Sequence, residues 1–312
     1  MDVLQNWFFM ALMTPTLWAI GCLVDSCLIG RRIYRRASDG AIISCLFCIL
    51  PLTLVPVMAP GATITIDVER NLPVYAIASG IAYTAHLFFY FRVLHRLNDV
   101  SGAETFMSLS VLIVPLFAWL ILGEVLPARF YVAFIIAAAA VALLCLPVLK
   151  YAGAGMLFNM GGGVVCVSLS MVWQAQALHS YGFAVSTIYF NLACFCIAMI
   201  VLAMDKRIRR RILRICRKYP AVLLSSEALG ILAVLASHRA TQQGPSVSLV
   251  ALIECLLPAF IIFISFLLIR LHRLSPVLHR DSYRTLSMQV QWLPSKIGAL
   301  FMLMIAMTSL SI

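Results

Sequence analysis

Residues 108–126 read SLSVLIVPLFAWLILGEVL, and the first charged side chain, Glu124, arrives only after sixteen uncharged positions. Coiled as an α-helix, those sixteen residues measure about 24 Å, most of the roughly 30 Å hydrocarbon core of a bilayer. The run does not alternate apolar with polar as a barrel strand does, and an open strand leaves its backbone groups unsatisfied in lipid. A spanning helix is the remaining solution. Working outward, similar runs fall at about 7 to 29, 40 to 59, 73 to 95, 100 to 122, 128 to 149, 157 to 178, 184 to 204, 221 to 240, 246 to 269 and 294 to 312. The composition agrees: 63% of the 312 residues are hydrophobic, 11% are charged and the mean hydropathy is +1.01. A soluble domain carries roughly 25% charged residues. The expectation is an all-α polytopic membrane protein with ten transmembrane helices.

The net charge of +11 would suggest nucleic acid in a soluble protein. Here its distribution gives a different answer. Twenty of the 23 Lys and Arg residues fall in loops after odd-numbered helices, led by Arg31, Arg32, Arg35 and Arg36, and by eight residues from Lys206 to Lys218. Basic loops stay in the cytoplasm. Both termini are therefore expected outside it, in a multi-pass protein of a bacterial inner membrane, with the basic clusters against anionic lipid headgroups. No nucleic-acid partner is expected. The ten cysteines lie mostly within apolar runs, where a thiol behaves as a small hydrophobe. Cys45 and Cys48 share a helix face but have no second pair or nearby His to complete a metal site, so neither metal nor cofactor is expected. The loop from Arg270 to Ser295 is expected on the cytoplasmic face, and Gly161, Gly162 and Gly163 read as a flexible hinge between halves.

Setting Pro115 on Pro258 aligns Leu109 with Leu252 and Phe117 with Phe260, an offset close to half the chain. Five helices per half is an odd number, so the halves, 1–152 and 153–312, are expected to be inverted repeats. Secondary transporters use such repeats around a midplane site. The stretch Ser108 to Leu126, ending in Leu122, Gly123 and Glu124, resembles the fourth helix and Leu-Gly-Glu signature of EamA-type members of the drug/metabolite transporter superfamily. Tyr83 to Phe117 and the opening Pro15-Thr16-Leu17-Trp18-Ala19-Ile20 are similar too. The resemblance implies ten helices in two five-helix repeats and a small-molecule substrate. The second half departs from the signature, with Leu268, Ile269 and Arg270 near the corresponding place, and the termini have the opposite orientation to well-known relatives.

An ionisable side chain at mid-membrane costs about 2.5 to 3.5 kcal/mol to insert, so it is a functional candidate by default. Of twelve acids, Asp25, Glu104, Glu227 and Glu254 lie near or within lipid. Glu254, mid-helix in the ninth run, is the first choice: it can take up a proton, pair with a cationic substrate, or hydrogen-bond neutrally between helices. Glu227 and His86 fall at near-equivalent depths of the two halves, and His86 is flanked by Tyr83 and Tyr90. A His titrates near physiological pH and can relay protons. Trp18, Trp173 and Gln174 are candidate walls of a polar cavity. Asp25 and Glu104 read as gate or capping ion pairs with Arg31 or Arg96. Pro115 and Pro258 are candidate hinges.

These features together predict a secondary active transporter, monomer or homodimer, that moves a small polar or amphipathic metabolite by alternating access in proton-coupled efflux or exchange. The alternative is a flippase for a lipid-linked sugar or phospholipid. An intramembrane enzyme lacks support, since no catalytic motif is present.

Overall fold

The computed structural model describes residues 6–58, 73–97, 99–149 and 152–274, with the isolated positions Tyr283, Leu286, Ser287, Gly298, Met302 and Ile305. No strand occurs among the described residues. Twelve helices follow in order: α1 (Trp7–Gly30), α2 (Ala37–Phe47), α3 (Pro51–Met58), α4 (Val74–Leu97), α5 (Val100–Met107), α6 (Ser110–Leu122), α7 (Ala128–Leu149), α8 (Ala154–Met204), α9 (Lys206–Lys218), α10 (Pro220–Gln243), α11 (Val247–Glu254) and α12 (Leu257–Leu274). Seven helical stretches among the described residues are long and apolar enough to cross a membrane. The run at 294 to 312 and most of the loop from 275 onward lie outside the described residues.

Sequence runs and helices differ in instructive places. The expected second span breaks at residues 48–50, where Pro51 starts α3; proline suits a first helical turn, whose N–H has no partner anyway. The sixth and seventh runs are one helical stretch, α8, whose 51 residues would measure about 76 Å if straight. Gly182, at φ 75° and ψ 175°, breaks it into 154–181 and 183–204. A side chain rarely adopts that backbone, so glycine is required there.

The fourth and ninth runs break in the same way. The eight-residue α5 ends before Ser108 and Leu109, and the eight-residue α11 ends before Cys255 and Leu256; each turn tightens into i→i−3 hydrogen bonds before a longer apolar helix resumes. Matching the breaks pairs Val100 with Val247 and moves Pro258 onto Val111. The proline-on-proline alignment is thus four residues out of step with the backbone. Pro115 lies inside α6, well past its break. Pro258 stands in the first turn of α12, where its missing N–H leaves the Glu254 carbonyl unbonded by the helix.

Packing is set by small residues. Gly80 of α4 faces Phe190 and Ala193 of α8, with the Cys194 thiol donating to the Gly80 carbonyl at 3.3 Å. Ser79 and Ser170 bond each other's backbone carbonyls reciprocally, at 2.8 and 3.0 Å. Of the glycine run, Gly162 and Gly163 pack closely under Phe89 and Met107, while nothing lies within 4 Å of a Cβ at Gly161. Such small-residue seams are how helices associate where lipid removes the hydrophobic drive between them. The large side chains Leu112, Leu116, Trp119 and Leu120 stay exposed along α6, as a lipid-facing surface does.

The bundle has two distinct ends. At one, Ile29, Arg32, Tyr34 and Arg35 stand beside His95, Arg96 lies 3.6 Å from the space above Gly155, and α9 packs alongside. At the other, Trp7 meets Gly244, Ser246 donates to Glu124 at 2.6 Å, and Arg239 lies over the Phe183 ring. The described basic loops thus meet at one end. The basic segment after residue 204 is an amphipathic helix, not a loop: Ile212 and Ile215 are buried while Arg209, Arg210, Arg214 and Arg217 are exposed. Asp205 caps it, and the backbone N–H groups of Ile208 and Arg207 hold that carboxyl below the usual carboxylate range. The cap is therefore charged at neutral pH and is lost as pH falls through the lowered value.

Arg211 Nε bonds Asp39 Oδ1 at 2.6 Å, and Asp39 also accepts from the Arg36 backbone at 3.0 Å. Asp39 is fully buried while Arg211 is partly exposed. Removing one partner leaves the other charge without its counter-ion, so Asp39→Ala is expected to cost about 2 kcal/mol. Thermal unfolding of the purified protein checks this; an unchanged midpoint would show the pair to be passive.

Candidate functional site

α1, α2, α4, α5, α6, α8, α10, α11 and α12 contribute to a cavity of about 140 Å³. That volume is space for a few waters or a small ligand portion, given about 30 Å³ per water. Asp25, Glu104, Glu227 and Glu254 all line it, together with His86, Trp18 and Tyr83. No Lys or Arg is among the lining residues.

Each carboxyl is held by a hydroxyl or thiol from a different helix. Ser226 of α10 donates to Asp25 of α1 at 3.2 Å, and Cys22 of α1 to Glu104 of α5 at 3.2 Å. Ser44 of α2 donates to Glu227 of α10 at 3.0 Å, and Ser237 of α10 to Glu254 of α11 at 2.7 Å. Asp25 and Glu104 are thus held by Ser226 and Cys22 in the cavity wall, where the sequence suggested Arg31 or Arg96. The local sequence supplies this arrangement. Gly21 leaves room for α10, with the Ser226 carbonyl 3.9 Å from the position of a Cβ, so Asp25 one turn later faces Ser226. The early ends of α5 and α11 leave Glu104 and Glu254 within a turn of a break. Asp25 is in electrostatic range of both Glu104 and Glu227. Like charges in a medium of low dielectric repel strongly.

His86 Nδ1 lies 3.0 Å from the Gly163 carbonyl, an acceptor, so Nδ1 carries the proton. Its ring lies between those of Tyr83 and Tyr90, at centroid distances of 6.0 and 6.2 Å. The absence of a side chain at Gly163 lets α8 come near enough for this bond.

No protein-family model matches the chain, and no curated protein matches it. A solved structure titled "Crystal structure of protein" is similar over 91% of this chain and 96% of its own, with 15% sequence identity and a TM-score of 0.49.

The remaining sequence candidates separate. Gln174 lines a second, smaller cavity of about 40 Å³ that shares Trp18, Tyr83, Val167, Met171 and Val234 with the first. Trp173 is half-buried on α8 and lines neither cavity. Pro115 lines neither, and Pro258 is buried beside the lining residue Leu257. Sequence reasoning missed His238, which is buried and receives Gln174 Nε2 at 3.3 Å. The polar cluster Ser237, His238 and Thr241 at the end of an apolar run was the available signal. All ten cysteines are free, and no described cluster of His, Cys, Asp and Glu has the makings of a metal site.

Proposed function

We propose that the chain is a secondary transporter that moves a small polar or amphipathic metabolite, cationic ones foremost, by alternating access coupled to protons in efflux or exchange. One observation carries this reading: four carboxyls from four helices line one cavity with no Lys or Arg among its lining residues. Ionised carboxylates in a membrane interior need compensation, and either protons or a cationic ligand supplies it. Binding of an organic cation releases protons from the carboxyls, and protonation releases the cation. That competition is an exchange cycle. The same carboxyls repel phosphate headgroups, which favours this reading over a flippase.

Several features support the ten-helix, twice-five inverted layout of the drug/metabolite transporter superfamily and its EamA-type members. Two eight-residue half-helices each bring a glutamate to the cavity, and α4 against α8 and α1 against α10 are the most extensive helix pairings. In this reading residues 1–152 and 153–312 are the two repeats. The basic end faces the cytoplasm of a bacterial cell, with both termini outside.

The test is counterflow into protein-containing liposomes, using permanently charged trimethylammonium compounds, which do not cross lipid unaided, alongside amino acids, nucleosides and polyamines. Accumulation of a cation driven by an imposed pH gradient is the expected result. Uptake indifferent to the gradient would remove the coupling, and failure of every cation would remove the substrate class.

A further inference from the structure

The four carboxyls of the larger cavity stand at two levels along α10. Ser226 holds Asp25, and the adjacent Glu227 is held by Ser44, whereas Ser237 holds Glu254. From Ser226 to Ser237 the helix rises about 16 Å at 1.5 Å per residue. Glu104 belongs to the Asp25 level: it accepts from Cys22, about one turn before Asp25 on α1, and lies in electrostatic range of Asp25. Three acids therefore gather at one end of the cavity and Glu254 stands at the other.

Between the levels the wall is uncharged. Gly230 and Val234 line the cavity at successive turns of α10 between the two serines, and nothing lies within 4 Å of a Cβ at Gly230. Trp7 meets Gly244 and Gly21 faces Ser226, so α1 runs antiparallel to α10. Trp18, two turns before Asp25, falls between the levels on this account. At the three-acid level Tyr90 lines the cavity and is 4% exposed, and its hydroxyl has no hydrogen-bond partner while in electrostatic range of Asp25 and Glu104. A phenolic oxygen can accept from an ammonium.

We propose that this site takes a linear α,ω-diamine, with one ammonium among Asp25, Glu104 and Glu227 and the other on Glu254. The alkyl chain lies along Gly230, Val234 and Trp18. A charged N–H···O bond takes up about 2.8 Å at each end, which leaves about 11 Å between the two nitrogens, the reach of an extended eight-carbon chain. A single ammonium compensates the acids of one level only, whereas a diamine compensates both. The assignment rests on the cationic-substrate reading above and narrows it to long diamines.

Calorimetry on the purified full-length protein separates the two levels. The probes are 1,8-diaminooctane and 8-amino-1-octanol, in which a hydroxyl replaces one ammonium, beside the shorter pair 1,4-diaminobutane and 4-amino-1-butanol. The eight-carbon diamine is expected to bind at least about tenfold more tightly than its amino alcohol, the scale of one hydrogen bond to a charged group. The four-carbon pair is expected to differ by no more than about twofold, because the shorter chain reaches one level only. In Glu254→Gln the eight-carbon preference is expected to fall to within about twofold as well. Equal binding of the eight-carbon pair by the native protein would overturn the diamine assignment and leave the cationic reading intact. The same preference at both chain lengths would overturn it too, since the acids would then act at one level. So would a loss in Glu254→Gln that falls equally on diamine and amino alcohol, which is the mark of a packing role. If none of the four amines binds while trimethylammonium compounds are still transported, the diamine assignment alone falls; if neither occurs, both readings fall.

Discussion

Gly80→Val is expected to yield protein that is much less stable than the native chain, with a loss of about 3 kcal/mol. At roughly 2–4 °C per kcal/mol this is a drop in Tm of about 10 °C. The reason is geometric. A Cβ at position 80 would run into the Phe190 carbonyl and stand 2.9 Å from the Ala193 Cβ, so the obstruction is backbone, which cannot swing aside. Relief requires α4 to move off α8. That movement stretches the Cys194–Gly80 bond and the reciprocal Ser79–Ser170 pair together. Gly161→Ala is the control, because nothing lies within 4 Å of its added carbon. Thermal unfolding in detergent compares the two. A native-like midpoint for Gly80→Val would mean that the α4–α8 contact is not as close as described.

Glu254→Gln is expected to fold normally and to lose gradient-driven accumulation on the order of a hundredfold or more, the scale on which positioned proton-transfer groups act. The amide keeps the volume of the acid, and its oxygen still accepts the hydrogen bond that Ser237 makes at 2.7 Å. What it cannot do is gain or lose a proton. Glu254 also closes α11 immediately before the turn at Cys255 and Leu256, where a shift of the half-helix would change its access to the cavity. The measurement is uptake with and without a pH gradient, beside thermal unfolding to show that the fold is retained. Undiminished accumulation in this variant would move the coupling role to Asp25, Glu104 or Glu227.

Much of the candidate site was visible before any contact was known. Placing the acids against the hydropathy profile isolates Asp25, Glu104, Glu227 and Glu254, and all four line one cavity. Their partners were not visible. Ser226 is 201 residues from Asp25, Ser44 is 183 from Glu227 and Cys22 is 82 from Glu104, and nothing in the local sequence of either member names the other. The same limit explains the expected arginine pairs: Arg31 and Arg96 are near Asp25 and Glu104 along the chain, whereas the donors are near in space. Trp173 and Gln174 show it at single-residue scale. Neighbours on a helix point about 100° apart, so one lines the second cavity and the other does not.

The sequence by itself determined the solvent. Hydropathy belongs to each residue independently, and a run of sixteen uncharged positions in lipid has only a helix with which to satisfy its backbone. It also determined which loops are basic, since charge is likewise counted residue by residue. Only the tertiary structure decided where helices break and what each polar group touches. Pro115 and Pro258 are the same residue in similar apolar runs, yet the breaks fall at different distances from them, because neighbouring helices select the bend. His238 gained its meaning in the same way. One histidine in an apolar run is a common sight, and it became part of a polar cluster when α8 brought Gln174, Thr187 and Phe190 around it.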